Sequence, residues 1–309
     1  MTRAQIVPQQ VRALPAEGGA ARIILGGRFG EELSALSWRR LDRFAESGGK
    51  AVDTAHSYAG GLSEKVIGEW MRANPGMLIV VDKIGHPDGQ GAVDLSAAAL
   101  RRELAESRHR LGDRAPDVVL LHRDSPEVPA EEVAGTLVDL VTDGEAREIG
   151  VSNWPAPRLD QLVVALAELG RTPVVSYQRS LAVPVTPLWP GTLQAAEPVL
   201  EVTARHRLPM LAWAAQARGF FAGITELPDV SKPDPFSSPA NLSRRSRCEA
   251  LARELGSRTE TVALAWLLHH PDTWPIVGAR SVPEVDASLE ASQLSFDAAT
   301  LRWLESGSR

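Results

Sequence analysis

Eight short apolar runs punctuate the chain, at residues 21–25, 51–54, 78–84, 117–122, 148–153, 174–178, 209–215 and 274–278. They are near-continuously apolar rather than alternating, which implies a sheet covered on both faces, as in parallel α/β proteins. Helix-period segments separate them, at 38–46, 64–73, 95–111, 131–142, 158–169, 193–205 and 244–255. Residues 261–269 extend the seventh helical unit, 284–290 follow the eighth run, and 301–306 form a short closing helix. Eight strand–helix units predict an α/β fold of the (β/α)8 TIM-barrel type. The competing open, doubly wound sheet lacks support, because no Gly-x-Gly-x-x-Gly follows the first run.

A chain of 309 residues has the length of one such barrel. Residues 1–20 read as a polar, proline-containing tail without the apolar core of a signal peptide, and 21–309 as a single barrel domain. The long irregular stretch from 218 to 241 follows the seventh run, which predicts a loop on the catalytic rim and a candidate lid. A net charge of −6 argues against nucleic acid or an anionic membrane as partner. The single cysteine, Cys248, excludes an intrachain disulfide framework and fits a cytoplasmic location. No apolar run approaches the roughly 18 to 20 residues that span a bilayer.

Four polar residues then fall at one rim. Asp53 ends the second run, Tyr58 lies on the loop after it, Lys83 is in the third run, and His122 ends the fourth. Ser63 reads as the N-cap of the helix after Tyr58. Each residue alone has an ordinary structural role: a loop-satisfying acid, a rim aromatic, a strand-end charge, a core histidine. Four at consecutive strand ends, on the face where such barrels keep their chemistry, point to a site.

The surrounding motifs carry a resemblance. Asp53-Thr54-Ala55-His56-Ser57-Tyr58 is followed by Ser63-Glu64 and Gly68, then Val81-Asp82-Lys83-Ile84-Gly85 and Leu120-Leu121-His122-Arg123-Asp124. Ile149 to Trp154, Gln178, Ala212-Trp213, Arg218 to Gly223 and Ile276 to Ser281 complete an ordered set. In this order the sequence resembles the aldo-keto reductases, and in particular a bacterial branch with Arg-Gly-Phe-Phe after the seventh strand. The resemblance implies reduction of an aldehyde or ketone (a sugar or an aryl carbonyl) by hydride from NADPH, with NADH the poorer cofactor, a small carbonyl compound as partner and no metal.

It also implies roles. Tyr58 supplies the proton, Lys83 lowers its pKa, Asp53 holds Lys83, and neutral His122 orients the substrate oxygen. At about 4 Å and an effective dielectric of ~20, the Lys83 attraction for a phenolate is roughly 4 kcal/mol. Ser152, Asn153 and Gln178 are expected on the nicotinamide carboxamide, and Trp213 against the ring face. Gln216, Ala217 and Arg218 are expected at the pyrophosphate. Gly278, Ala279, Arg280 and Ser281, with Glu284 and Ser288, are expected around the adenosine phosphate. Glu284 and Ser288 depart from the family's usual residues, which bears on cofactor preference. Phe29, Trp154, Trp189 and Phe220, with Arg28, His56 and His86, are loop residues expected to line a substrate pocket. The alternative function on the same barrel is a nucleotide-binding redox sensor with little turnover.

Overall fold

The computed structural model describes residues 13–15, 18–27, 29–30, 34–224 and 234–308. Arg28 and residues 225–233 of the expected lid lie outside the described residues. Eight strands form: β1 (Ile24–Gly26), β2 (Ala51–Asp53), β3 (Ile79–Ile84), β4 (Val118–Leu121), β5 (Glu148–Ser152), β6 (Val174–Gln178), β7 (Met210–Trp213) and β8 (Thr273–Gly278). They pair in sequence order, all parallel, and close into a barrel where Ile24 of β1 meets Ile276 of β8.

The helices are α1 (Ser34–Glu46), α2 (Leu62–Ala73), α3 (Ala97–Arg110), α4 (Ala130–Thr142), α5 (Ala156–Glu168), α6 (Glu197–His206), α7 (Pro239–Leu255), α8 (Thr259–Leu268), α9 (Val282–Glu290) and α10 (Ala298–Ser306). No helix among the described residues is long and apolar enough to cross a membrane.

Among the boundaries that differ from the sequence reading, three bear on the rim and the wall around it. The first strand begins at Ile24 rather than 21, because Gly19–Arg22 forms a 3-10 turn. Helix α6 begins at Glu197 rather than 193. The preceding residues pair backwards instead, with Gln178 N–H bonded to Leu193 O (3.1 Å) and Ala195 N–H to Gln178 O (2.8 Å). Ser63 is not an N-cap: that position is Gly61, whose φ of 85° suits glycine. Ser63 lies inside α2, fully buried, and accepts hydrogen bonds from Thr54 Oγ1 and the Phe29 N–H.

Polarity divides the barrel interior lengthwise. At the N-terminal end of the strands Ile24, Ala51, Val81, Val118, Val174 and Leu211 pack together. Leu14, from the expected tail, closes them from below, and Pro15 O accepts from the Trp274 indole (3.0 Å). The other end is left to polar side chains.

Candidate active site

Backbone ladders run past the strand ends and fix what stands there. Thr54 N–H bonds Val81 O and His56 N–H bonds Lys83 O, both at 2.9 Å, while His122 N–H bonds Ile84 O at 2.7 Å. The result gathers Asp53, Tyr58, Lys83 and His122 at one mouth. Lys83 Nζ donates to Asp53 Oδ1 (2.5 Å) and to Thr54 O (2.9 Å), and both side chains of the ion pair are buried. The same ammonium lies 5.0 Å from the centroid of the Tyr58 ring. The Tyr58 and His122 rings meet edge to face at 5.8 Å.

Burial dominates the electrostatics here. It would push the Lys83 ammonium down, but Asp53 and Tyr58 outweigh it and hold the pKa above its ordinary value. Burial lifts the Asp53 carboxyl, with Lys83 opposing. Tyr58 is half-buried, and burial raises its phenol above the ordinary value, while Lys83 acts in the expected direction and opposes that rise. Arg123, which the sequence reading left without a role, adds a second cation acting on Tyr58. His122 is held well below its ordinary pKa, first by burial and then by Lys83, Arg123 and His86. Its Nδ1 is sealed without a partner among the described residues, and the His86 ring packs edge-on at 4.7 Å.

Around the rest of the rim the expected cofactor residues form a connected set. Asn153 adopts a left-handed backbone (φ 61°), donates from Nδ2 to Ser152 Oγ (2.8 Å) and accepts from Leu193 N–H (2.9 Å). Gln178 Nε2 donates to Ser180 Oγ (3.0 Å), which leaves its Oε1 without a partner among the described residues. The Trp213 Nε1 is likewise buried without one. Gln216 Nε2 donates to Ser288 Oγ (3.1 Å), joining the loop after β7 to α9. At the end of β8, beyond Gly278, Arg280 and Glu284 close on each other: Glu284 accepts from the Arg280 N–H (2.7 Å) and from Nη2 (3.0 Å). Ser281 caps α9 through the Glu284 N–H. Arg218 does not stand free over the site but lies on the Trp189 ring, 4.9 Å from its centroid.

Backbone strain concentrates at this rim. Ala59, Asn153, Ala214, Ala217 and Arg218 all have positive φ, three of them in the loop after β7. Non-glycine residues hold such conformations only where surrounding structure enforces them, which is a property of binding loops. A recess of about 200 Å3 opens between that loop and the loop after β6, lined among others by Gln178, Trp213, Leu188 and Gln194. None of the tetrad lines it.

Of the expected pocket aromatics, only Trp189 is exposed, and its ring sits 5.7 Å from that of Trp213. Phe29 (1%), Trp154 (0%) and Phe220 (5%) are buried in the apolar layers outside the sheet and offer the mouth no surface. His56 faces α3 and bonds Glu106 (2.9 Å).

The sequence profile described as Aldo/keto reductase family matches residues 23–306. Among curated proteins, the chain is 26% identical over 294 residues to norsolorinic acid reductase A of Aspergillus parasiticus, covering 90% of this chain and 73% of that one. It is also 26% identical to an aryl-alcohol dehydrogenase [NADP(+)] of Phanerodontia chrysosporium, covering 87% and 74%. Solved structures share the fold. An aldo/keto reductase of Klebsiella pneumoniae in complex with NADP and acetate superposes with a TM-score of 0.71 at 24% identity, covering 92% and 89%. The glycerol dehydrogenase of Gluconobacter oxydans gives 0.76 at 22% identity, covering 93% of each chain. With the profile spanning the whole barrel, and the ordered strand-end motifs at one rim, this chain belongs to the aldo/keto reductase family.

Proposed function

We propose that the protein reduces an aldehyde or ketone to an alcohol with NADPH, Tyr58 giving the proton. The observation that carries this reading is the Tyr58 phenol beside the buried Lys83–Asp53 ion pair, at the mouth of a barrel whose far rim is lined with amide and cation donors. Bound there, the nicotinamide supplies the hydride. Ser152, Asn153 and Gln178 suit its carboxamide, whose donors and acceptors they can match, and Trp213 suits its ring face. Gln216 and Arg218 suit the pyrophosphate, and Arg280 with Ser281 the adenosine 2′-phosphate.

The chain's own residues supply the rest. His122, kept neutral by burial and the neighbouring cations, can donate one hydrogen bond to the carbonyl oxygen. As hydride arrives, negative charge grows on that oxygen, and Tyr58 transfers its proton there. The tyrosinate left behind faces Lys83, which favours that charge, and Asp53 keeps Lys83 protonated and in place. Trp189 beside Trp213, and aryl-acting relatives, favour an aromatic carbonyl substrate.

Replacing Tyr58→Phe removes the hydroxyl and keeps the ring. NADPH consumption with 4-nitrobenzaldehyde is expected to fall by about 10² to 10⁴. NADPH binding, read from quenching of tryptophan fluorescence, is expected to stay within a few-fold. Turnover within about threefold of wild type removes Tyr58 from the acid role. Absence of NADPH oxidation by the wild type across aromatic, aliphatic and sugar carbonyls overturns the function itself.

A further inference from the structure

Directly behind the ion pair, on the outer face of the sheet, lie two carboxyl groups that the reduction does not use. Successive side chains of a strand point to opposite faces, so Lys83 turns into the barrel and Asp82 turns out toward α2 and α3. Asp82 and Glu64 of α2 are both fully buried. Each has one oxygen engaged: Asp82 Oδ1 accepts from the Lys83 N–H (2.8 Å), and Glu64 Oε2 accepts from Arg110 Nη1 of α3 (2.8 Å). Among the described residues, Asp82 Oδ2 and Glu64 Oε1 are both sealed without a partner.

Charge is hard to balance if both are ionised. Arg110 is the cation bonded to this pair, and it is already divided between Glu64, Glu106 and the His56 carbonyl. Glu103 and Glu106 of α3 add further negative charge nearby, held by the Gly85 N–H and by His56 with Arg110. Ser107 of α3 favours the Asp82 carboxylate, but weakly: it stands last among the influences on that group, and its Oγ makes no hydrogen bond of normal length among the described residues. From β4, the residue in register with Asp82 is the apolar Val119. On the inner face Lys83 is committed to Asp53 and Thr54 O. An uncompensated buried carboxylate is among the costliest groups a fold can hold, and a proton is the remaining partner.

We propose that Asp82 holds a proton, and that it is thereby a positioning residue that leaves Asp53 the only ionised carboxylate of the pair's strand-end neighbourhood acting on Lys83. Glu64 keeps its hydrogen bond from Arg110. Burial first, and then the Glu64 charge, lift the Asp82 carboxyl well above its ordinary range. The location of the proton rests on burial and bonding; its consequence for Lys83 rests on the proposed reduction.

Asp82→Asn reproduces the neutral acid, since its amide can accept from the Lys83 N–H and donate toward Glu64. Infrared spectra of wild type minus Asp82→Asn in D2O at pH 7 are expected to show the C=O stretch of a protonated carboxylic acid. The thermal midpoints supply the second reading. A raised carboxyl pKa means stability lost as pH climbs from the ordinary carboxylate range through the folded value. Asp82→Asn should therefore gain a few degrees on wild type between pH 4 and pH 9. A wild-type spectrum without an acid band, a band that survives the substitution, or a constant midpoint difference across pH each overturns the proton on Asp82. Should Asp82→Asn not fold, the wild-type spectrum still decides, because absence of any acid band at pH 7 is fatal to the proposal. Neither reading requires turnover, so an inactive protein that passes both tests contradicts the reduction alone.

Discussion

At the scale of single residues, the rim holds one contact that bears on cofactor choice. The Glu284 carboxylate takes both the backbone N–H and the guanidinium of Arg280, the donors a 2′-phosphate would need. Both side chains are solvent-exposed (72% and 39%), so the pair contributes only about 0–1 kcal/mol. A charge-assisted hydrogen bond to phosphate contributes roughly 1.5–3 kcal/mol. On the proposed reading the phosphate therefore wins, but it must displace Glu284 and then sit beside a carboxylate. Glu284→Gln is expected to tighten NADPH by about 3- to 10-fold, because ~1 kcal/mol of opposition corresponds to about fivefold. NADH, which lacks the phosphate, should be unmoved. Arg280→Ala should weaken NADPH alone. Fluorescence titrations of both cofactors read the outcome, and unchanged NADPH-to-NADH ratios in both variants remove this pair from cofactor discrimination.

At the scale of elements, α2 and α3 hold the outer wall behind the site, and Gly68 lets them touch. A Cβ at Gly68 would stand 2.5 Å from Arg110 O and 2.7 Å from the Leu111 backbone. Alanine in place of glycine favours a helix by about 1 kcal/mol. Overpacking against a backbone that cannot rotate away costs about 1–3 kcal/mol or more. The second effect should win, and Gly68→Ala is expected to lower stability by about 1–2 kcal/mol in urea unfolding; equal or greater stability contradicts the close contact.

How much of this wall the sequence displays depends on the kind of signal. Near-continuous apolar runs mark buried parallel strands, so all eight strands were legible, and the ordered strand-end motifs gave the rim. Hydrophobicity does not mark where a ladder stops, so residues 193–196 read as helix although they pair with Gln178. Nor does it separate a loop aromatic that lines a mouth from one that turns into the core, as Phe29, Trp154 and Phe220 do. Asp82 escaped notice for a related reason. A charge beside a functional lysine carries no label for the face it will occupy until α2 and α3 are in place.

At the scale of the whole molecule, the barrel is complete only when β1 meets β8, two segments some 250 residues apart, and such distant pairings carry the largest loop-closure cost. The seam has its own clasp. Arg22 Nη1 donates to Leu268 O (2.9 Å), and Nη2 to His270 O and Thr273 O (both 2.5 Å), with the guanidinium 5.6 Å from the Trp274 ring centroid. His270 stands in that clasp, its ring edge-on to Trp266 at 4.5 Å and its Nδ1 3.2 Å from Trp266 O. Burial, and after it the Arg179 guanidinium, pulls its pKa down to about 4. In the unfolded chain the same ring protonates near pH 6.5. As pH falls from about 6.5 to about 4, the unfolded state therefore takes up a proton that the folded state refuses, and stability is lost across that window. His122, also depressed, acts in the same direction. The raised carboxyls at Asp53 and Asp82 act in the opposite one. His270→Asn isolates the seam from both, since an amide can still reach Trp266 O but cannot titrate. The variant should be less stable than wild type at pH 7.5, because it loses ring packing, and the gap should close or reverse by pH 4.5. Unfolding free energies from urea titrations at the two pH values test this. A gap that stays constant would mean that the seam does not sense acid through His270.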